Sequence, residues 1–456
     1  MYLLVNIFII SIIILYINIY KPISKLIYYL MYFSLLTSLT YLLFNWHKDY
    51  HLFNNMIYLS KNNILFSIII LITNVFMLPI IIINQRYLYS QSYSPDMYSV
   101  ILLSLIGGLL MITCENFIIL FLGLEIISIC FYILICVDNK NKKYIISSIK
   151  YFILGSIMVC FLLLGISFVY GATGVFSMNK SLHIINHDMY LIGLLLILIT
   201  LLFKLGIFPF NNWMIDIYYN SPSIITLYMS TIGKIVFISC FNKLIILLKY
   251  NNHIINMIHI LLIPTLIISN IKALKENDLK KMLLYSSISH TAYIINILLI
   301  NNIYIYKMLF IYIISYILSF TVFFSIIITI NNHYNSYNIK YLHGLFINNK
   351  FLSIILSISS IYLAGLPISG IFFGKLYVIQ NIIYNKNIYL LMSILVSSIF
   401  SIIYYIKIIF HIMLFKKTYR DNILYINHFY KIILLFLIIV MIFLGVFPFV
   451  IYNIVP

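Results

Sequence analysis

Four ionisable residues of this chain lie inside long apolar runs: Glu125, Lys204, Lys234 and Lys375. Charged residues make up only 8% of the 456 residues, so these four stand apart from their surroundings. A charged side chain at the centre of a bilayer costs about 2.5–3.5 kcal/mol on insertion scales, and such residues mark ion or proton pathways. One acid and three lysines at this depth therefore predict a route for protons or cations.

Composition defines the elements that must position these residues. Hydrophobic residues make up 64% of the chain, which excludes a soluble globular domain. Apolar runs of about 20 residues recur, and a helix needs this length to cross a hydrocarbon core. We predict an all-α polytopic membrane protein with about 14 transmembrane helices. The expected spans are roughly 2–20, 24–44, 64–84, 98–113, 115–137, 144–170, 190–210, 222–248, 253–271, 280–300, 303–330, 351–374, 386–413 and 431–452.

Two of these spans contain glycine and proline at membrane depth. They read LLFKLGIFPFNNW (201–213) and YLAGLPISGIFFGK (362–375). Proline removes a backbone hydrogen bond and clashes with the preceding turn, so both helices should kink or unwind. Paired broken helices are typical of inverted-repeat transporters. They predict two inverted five-helix repeats, with two unrelated kinks as the alternative.

This interpretation divides the chain into four parts. We predict an N-terminal three-helix segment, a first antiporter-like repeat (spans 4–8), a second repeat (spans 9–13) and a C-terminal helix. The broken helices are expected near 205–211 and 364–371. The four parts are 1–97, 98–250, 251–415 and 416–456.

The net charge of +18 is distributed unevenly between the predicted loops. Loops after odd-numbered spans hold 16 basic residues, loops on the opposite face hold 7, and the other 5 of the 28 lie within spans. The positive-inside rule places the odd loops in the matrix or cytoplasm and both termini outside. The charge is thus explained by membrane topology, which argues against a nucleic-acid partner.

The sequence offers little for a metal or a redox cofactor. The five cysteines form no CxxC pair, and we interpret them as apolar packing residues. His47 with His51, and His183 with His187, have helical ligand spacing but lie in short polar loops. No motif for a flavin, a nicotinamide or a haem is present, so we predict no cofactor or metal on this chain.

Several runs together carry a family resemblance over roughly residues 98–410. They resemble the antiporter-like, proton-pumping membrane subunits of respiratory complex I, and within that group subunit 2, the counterpart of bacterial subunit N. The lysine in GIFFGKLY, where the sister subunit 4 has glutamate, and the lack of a long lateral helix after the last span favour subunit 2. The runs are LFLGLEIISICFYIL (120–134), SSIKYFILGSIMVCFLLLGISFVYGATG (147–174), FKLGIFPFNNWMIDIYYNSPSIITLYMSTIGKIVFI (203–238), LKENDLKKMLLYSSISHTAYIINILL (274–299) and LAGLPISGIFFGKLYV (363–378).

The resemblance implies roles for the four buried charges. Glu125 matches a fifth-span glutamate, and Lys204 matches the seventh-span lysine with which it is expected to interact. Lys234 matches an eighth-span lysine near the midplane, and Lys375 matches a twelfth-span lysine facing the next subunit or the outside exit. Burial favours neutral lysine and a nearby carboxylate favours the charged form. We hypothesise that alternating pKa changes move protons along these residues through water-linked half-channels.

Two further residues match the family with alternatives left open. Lys150 matches a sixth-span lysine, but it lies near its helix start and snorkelling would also explain it. His290 matches a tenth-span histidine and is equally compatible with a polar packing residue. The sequence departs from the family at Asn211, where histidine is common. Asparagine cannot titrate, so the histidine-gated proton route is not carried over to this position.

The resemblance implies a proton-translocating core subunit of NADH:ubiquinone oxidoreductase. NADH, FMN, iron–sulfur clusters and ubiquinone are then expected in other subunits, and redox chemistry there supplies the energy. The implied partners are other membrane-arm subunits, including a sister antiporter-like subunit and small membrane subunits, and the lipid bilayer. A cation/proton antiporter subunit of the same superfamily is the alternative, followed by a structural or other transport protein.

Residue usage suggests the compartment. Isoleucine, asparagine, tyrosine, phenylalanine and lysine are abundant, with 41 tyrosines against 15 glycines. AT-rich codons produce this bias. We predict an organelle-encoded protein of the mitochondrial inner membrane, with the cytoplasmic membrane of an AT-rich bacterium as the alternative.

Overall fold

The computed structural model describes residues 2–20, 24–46, 49–87, 96–138, 141–178, 186–248, 251–300, 302, 304–384, 386–414 and 428–455. Within this part the regular secondary structure is helical, apart from one short hairpin. The hairpin consists of β1 (Tyr50–Leu52) and β2 (Ile57–Leu59). The helices are α1 (Tyr2–Tyr20), α2 (Ser24–Phe44), α3 (Lys61–Tyr87), α4 (Asp96–Thr113), α5 (Phe117–Ile135), α6 (Lys142–Thr173), α7 (His187–Leu205), α8 (Asn211–Tyr219), α9 (Ser223–Tyr228), α10 (Lys234–Leu248), α11 (Asn252–Lys275), α12 (Leu279–Leu298), α13 (Ile305–Tyr334), α14 (Leu345–Asn348), α15 (Lys350–Ala364), α16 (Gly370–Tyr384), α17 (Ile388–Met413), α18 (His428–Val446) and α19 (Phe449–Ile454).

The predicted polytopic all-α architecture is confirmed. Twelve helices of the described chain are long and apolar enough to cross a membrane. At the other two predicted spans lie α12 and the interrupted pair α15 and α16. The count of fourteen and the inverted repeats therefore stay predictions.

Part of the charge and metal predictions falls outside the described residues. The predicted orientation of the loops across the membrane therefore stays a prediction. The residues concerned are Lys21, His47, Lys48, Lys140, Lys180, His183, Lys249, Lys416, Lys417 and Arg420.

Local sequence explains where several helices begin. Asn116, Asn141, Asn349 and Asn387 each precede a helix and accept a hydrogen bond from its first turn. Asp278 does the same for α12, where its carboxylate accepts from the Lys281 N–H at 3.1 Å. Such caps satisfy amide groups that have no partner inside the helix. The asparagine-rich composition thus also supplies helix starts.

Both predicted breaks are complete interruptions. Helix α7 ends at Leu205 and α15 ends at Ala364, and each is followed by a glycine in the left-handed region. These are Gly206 at φ 70° and Gly365 at φ 79°. A side chain disfavours this conformation, so glycine ends these helices at little cost.

Other boundaries also differ from prediction. The last span was expected to continue to residue 452, but α18 ends at Val446 because Pro448 cannot donate a helical hydrogen bond. The twelfth span was expected to end at 374, whereas α16 continues to Tyr384. The hairpin was not predicted, because its turn uses left-handed Phe53, Asn54 and Asn55, and phenylalanine carries no turn signal.

The chain forms two compact units. In the first, α4 packs against α1, α5 and α10, and α6 packs against α7. In the second, α13 packs against α12, α15, α16 and α18, and α11 packs against α12 and α17. Unit 1 is Met1–Val75, Ser90–Leu205 and Asp216–Tyr250, and unit 2 is Phe76–Tyr89, Gly206–Ile215 and Asn251–Pro456.

Candidate functional site

The first unit brings Glu125 and Lys204 together. Lys204 lies in the last turn of α7 and is only 1% exposed. Its Nζ donates to Ser128 Oγ at 2.9 Å and lies 5.0 Å from the ring centroid of Tyr151. Glu125 is half-buried on α5, one turn before Ser128, and interacts electrostatically with Lys204. The side chains form an acid–hydroxyl–amine group in which the serine and the lysine are fully buried.

The backbone favours a cation at Lys204. The last carbonyls of a helix lack intrahelical partners, and the helix dipole places partial negative charge there. Because α7 stops at Leu205, Lys204 occupies this position while its side chain is buried inside the protein. The break thus partly offsets the cost of burying an amine.

Lys234 lies in the same unit at a second irregular point. It is the first residue of α10, directly after a π-helical turn at Met229–Gly233, and it is 1% exposed. The helix before this turn is held to α4 by a hydrogen bond of 2.6 Å between the hydroxyls of Tyr228 and Ser104. A π-helical turn changes the direction of the side chains that follow, and such turns are frequent at functional sites.

The second unit encloses Lys375 at the other broken helix. Its Nζ donates to the carbonyl oxygen of Ala364 at 3.0 Å and to Ser401 Oγ at 3.3 Å. It also lies 5.1 Å from the ring centroid of Tyr293. Ala364 is the last residue of α15, so the amine binds a carbonyl that the break leaves without a helical partner.

His290 lies in the same unit as Lys375 and is connected to it through tyrosines. His290 Nδ1 and Tyr312 Oη form a hydrogen bond of 2.9 Å. The Tyr312 ring stacks on Tyr293 with 6.4 Å between centroids, and Tyr293 faces Lys375. Tyr293 Oη also forms a 2.5 Å hydrogen bond with Ser397 Oγ. The buried group contains a titratable ring, two phenols and an amine.

Lys150 and Asn211 occupy different surroundings. Lys150 is on the exposed side of α6. Asn211 begins α8 and is 4% exposed, and its Nδ2 atom has no hydrogen-bond partner within the described residues.

Sequence reasoning missed several neighbours of these residues. Ser128 is three residues after Glu125 and Tyr293 three after His290, so helical spacing would have placed each pair on one face. Tyr151 and Ser401 are distant in sequence from the lysines they contact and gave no signal.

Lys280 was also misplaced by the sequence. It is the first residue of the predicted span 280–300, but it is 1% exposed in the first turn of α12 and lies 5.5 Å from the Tyr337 ring centroid. A lysine at the end of an apolar run reads as solvated, and only the packing of Tyr337 over it shows otherwise.

The chemistry available at these positions is proton exchange. Amines, phenols, an imidazole and a carboxylate can each take up or release a proton. In the described part of the chain, no three histidine, cysteine, aspartate or glutamate side chains are grouped to hold a metal ion. The amines, phenols, imidazole and carboxylate brought together here are suited to proton uptake and release.

Comparison with known proteins agrees with this geometry. The family described as "NADH:quinone oxidoreductase/Mrp antiporter, TM" matches residues 114–401. The chain is 31% identical over 402 residues to NADH-quinone oxidoreductase subunit N of Flavobacterium psychrophilum, covering 87% of each chain. It is 35% identical over 329 residues to NADH-ubiquinone oxidoreductase chain 2 of Dictyostelium discoideum, covering 69% of this chain and 67% of that one.

A solved structure shares the fold. A chain in the structure of respiratory complex I from Thermus thermophilus with bound aureothin superposes with a TM-score of 0.84. Its sequence identity is 21%, and the match covers 99% of this chain and 98% of that chain. At this identity the similarity shows the fold alone.

Proposed function

The chain belongs to the NADH:quinone oxidoreductase/Mrp antiporter membrane family, and we propose that it is the subunit N (chain 2) member of a proton-translocating NADH:quinone oxidoreductase. It moves protons, while NADH oxidation and quinone reduction take place on other subunits. NADH, FMN, iron–sulfur clusters and ubiquinone belong to those subunits in this proposal.

The observation that carries this function is the position of two buried amines at the ends of interrupted helices. Lys204 and Lys375 are 1% and 5% exposed, and each has hydroxyl and aromatic neighbours. A permanently charged structural lysine would be expensive at this depth. A lysine that alternates between charged and neutral forms carries a proton, and this role explains why it is buried despite the energetic cost.

We propose Glu125, Lys204, Lys234 and Lys375 as the main proton carriers. Glu125 controls the charge of Lys204, because a carboxylate nearby stabilises the protonated amine. A change of register at the π-helical turn before Lys234 would move its amine relative to its neighbours. Each proton moved against the membrane potential requires about 2.3 kcal/mol per 100 mV.

Lys150 and His290 are proposed as further carriers. His290 exchanges a proton with Tyr312, with which it shares a hydrogen bond. Lys150, on the exposed side of α6, can reach water or a neighbouring subunit by snorkelling.

The test is Glu125→Gln in the fully assembled enzyme. Glutamine keeps the size of the side chain and removes its charge, so the Lys204 amine loses its electrostatic partner. We expect fewer protons pumped per NADH oxidised, measured with a pH-sensitive dye in sealed vesicles. Asp188→Asn, an exposed acid in the first turn of α7, is the matched control and should pump normally. Unchanged stoichiometry in Glu125→Gln would refute the assignment.

The family description also includes Mrp antiporters, so a cation/proton antiporter subunit is the second candidate. It predicts sodium-driven proton movement in vesicles without NADH. Native-gel separation distinguishes the two functions, because a complex I subunit runs in a large band that oxidises NADH.

We propose that the protein contacts a sister antiporter-like subunit and small membrane subunits within a membrane arm. The residue usage expected from AT-rich codons supports a location in the mitochondrial inner membrane, and so does a Dictyostelium relative named NADH-ubiquinone oxidoreductase chain 2. Bacterial relatives named subunit N support a cytoplasmic membrane as the alternative. Cell fractionation followed by mass spectrometry decides between them.

A further inference from the structure

Two thiols meet at the junction of α4 and α5. Cys114 lies between these helices, and Cys240 lies in α10; both are fully buried. Cys114 Sγ donates to the carbonyl oxygen of Met111 at 3.0 Å, and Cys240 Sγ donates to the same oxygen at 3.4 Å. One shared acceptor thus brings both sulfur atoms into a single small site.

A lysine supplies positive charge to this site. Lys243 lies one turn after Cys240 on α10, and its Nζ donates to the carbonyl oxygen of Cys114 at 2.5 Å. The same nitrogen is 3.8 Å from Cys114 Sγ. Lysine beside a thiol favours the thiolate, which is the form that reacts with oxidants. The nearby Cys240 side chain and then the charge of Lys243 outweigh burial and lower the pKa of the Cys114 thiol from its ordinary value.

The junction lies at the edge of the first unit. Backbone pairing joins Ile57 of the hairpin to Cys114, and the N–H of Glu115 donates to Met56 at 2.9 Å. The loop between α4 and α5 is on the face that the charge distribution predicts to lie outside the matrix or cytoplasm. Thiols outside reducing compartments are not kept reduced by glutathione and thioredoxin. Lys243, whose amine contacts Cys114, is only partly buried, so the charged side of this site is not fully enclosed.

We propose that Cys114 and Cys240 form a peroxide-sensitive dithiol that closes to a disulfide, tying the α4–α5 junction to α10. The Cys114 thiolate attacks one oxygen of hydrogen peroxide, the O–O bond breaks, and the released hydroxide takes a proton to become water. Cys240 then attacks the sulfur of the resulting sulfenic acid, the S–O bond breaks, and the hydroxyl group leaves as a second water with the Cys240 proton. The two thiols lose two electrons and peroxide gains them.

The test uses membranes that contain the assembled protein. After hydrogen peroxide treatment, the remaining thiols are alkylated under denaturing conditions, and the peptides are identified by mass spectrometry. We expect alkylation of both Cys114 and Cys240 to be lost and a linked peptide to appear, lighter by two hydrogen atoms than the sum of its parts. Dithiothreitol should restore both thiols.

Variants test whether the two residues act as a pair. Cys114→Ser and Cys240→Ser should each abolish the linked peptide, whereas Cys130→Ser, a buried cysteine on α5, should retain it. The proposal is overturned if wild-type Cys114 and Cys240 stay alkylated at a peroxide dose that oxidises the exposed Cys160. It is also overturned if Cys114 passes to sulfinic acid without a link. The readout is thiol chemistry in the wild-type chain, so it does not depend on proton pumping or on a variant folding.

Discussion

Lys204 in the first unit and Lys375 in the second are both buried amines associated with an interrupted helix, but their charges are stabilised differently. Lys204 donates to a hydroxyl on α5, the helix that also carries Glu125. Lys375 donates to a backbone carbonyl at the end of α15 and to a hydroxyl on α17. Among the described residues, its polar contacts include no carboxylate.

The difference separates two ways of placing an ammonium group inside a membrane. A carboxylate can itself change charge, so the Lys204 site has two titrating partners that influence each other. A carbonyl and a hydroxyl keep their dipoles whatever the state of the lysine. We infer that Lys204 responds to the charge of Glu125, whereas Lys375 responds to the geometry of the helix break.

Replacing each lysine by arginine should have the largest effect on proton pumping at both sites. Arginine keeps the positive charge but does not deprotonate in proteins. If both lysines release protons, Lys204→Arg and Lys375→Arg should each lower proton pumping by roughly 10²-fold, the scale for loss of a general acid or base. Proton flux and NADH oxidation are measured in the same vesicles.

Lys272→Arg is the control for the arginine variants, because Lys272 binds Asn212 at the protein surface. Its pumping should be normal. Normal pumping in Lys375→Arg alone would restrict the carrier role to the site with a carboxylate.

Adding a methyl group at each helix break tests the role of backbone geometry. Gly365→Ala and Gly206→Ala should each cost about 1–3 kcal/mol of stability, because alanine is strained at a φ near 70–79°. At Gly365 the new Cβ would lie 2.9 Å from Lys375 Nζ, so pumping should also fall. At Gly206 it meets the flexible end of Met214, 2.7 Å away. Loss of the assembled band on native gels after heating measures stability, and vesicle assays measure proton pumping. Equal pumping in both variants would contradict the proposed dependence of Lys375 on its helix break.

Removing the hydroxyl partners should have a smaller effect. Ser128→Ala removes the 2.9 Å acceptor of Lys204, and Ser401→Ala removes the 3.3 Å acceptor of Lys375. A hydrogen bond contributes about 1 kcal/mol, and Lys375 keeps the carbonyl of Ala364 when Ser401 is lost. We therefore expect a larger decrease in proton flux for Ser128→Ala. The reverse order would show that hydroxyl groups do not account for the difference between the sites. Ser156→Ala, on the exposed side of α6, is a suitable control.

The smallest expected effect concerns a titratable pair outside the buried sites. His343 Nε2 and His411 Nδ1 form a hydrogen bond of 2.7 Å, near Lys340 and Lys407. Burial and then the charge of Lys340 lower the pKa of His343. Because the unfolded chain therefore binds this proton at a higher pH than the folded chain, the free energy of unfolding decreases as the pH falls through the ordinary histidine pKa, near 6.5.

Lys340→Ala should therefore raise the pKa of His343 toward its ordinary value and reduce that acid sensitivity. Deuterium exchange at the histidine ring carbon, followed by mass spectrometry at several pH values, measures the pKa directly. An unchanged pKa would show that burial alone accounts for the shift. His187, an exposed histidine at the start of α7, serves as the internal reference.

Much of the fold was predictable because its signals are local. Apolar runs of membrane-spanning length gave the positions of the helices, and Gly206 and Gly365 gave the two interruptions within a residue or two. The hairpin and the end of α18 were missed. In the first case the turn uses a left-handed phenylalanine, and in the second a single proline outweighs a continuing apolar pattern.

The candidate site was predictable only in part. A charge inside an apolar run is visible in any sequence, so Glu125, Lys204, Lys234 and Lys375 could be named at once. Their partners could not. Tyr151 and Ser401 are ordinary residues whose importance comes from lying within reach of a lysine on another helix.

The sequence by itself therefore determined the class of protein, the helices, their breaks and the unusual charges, because each depends on residue type and short-range spacing. Only the tertiary structure decided which groups meet: a hydroxyl for Lys204, a helix-end carbonyl for Lys375, and a second thiol and a lysine for Cys114. The physical reason is that desolvation is a property of one residue, whereas hydrogen bonding and charge pairing depend on contacts between helices that can be more than a hundred residues apart in sequence.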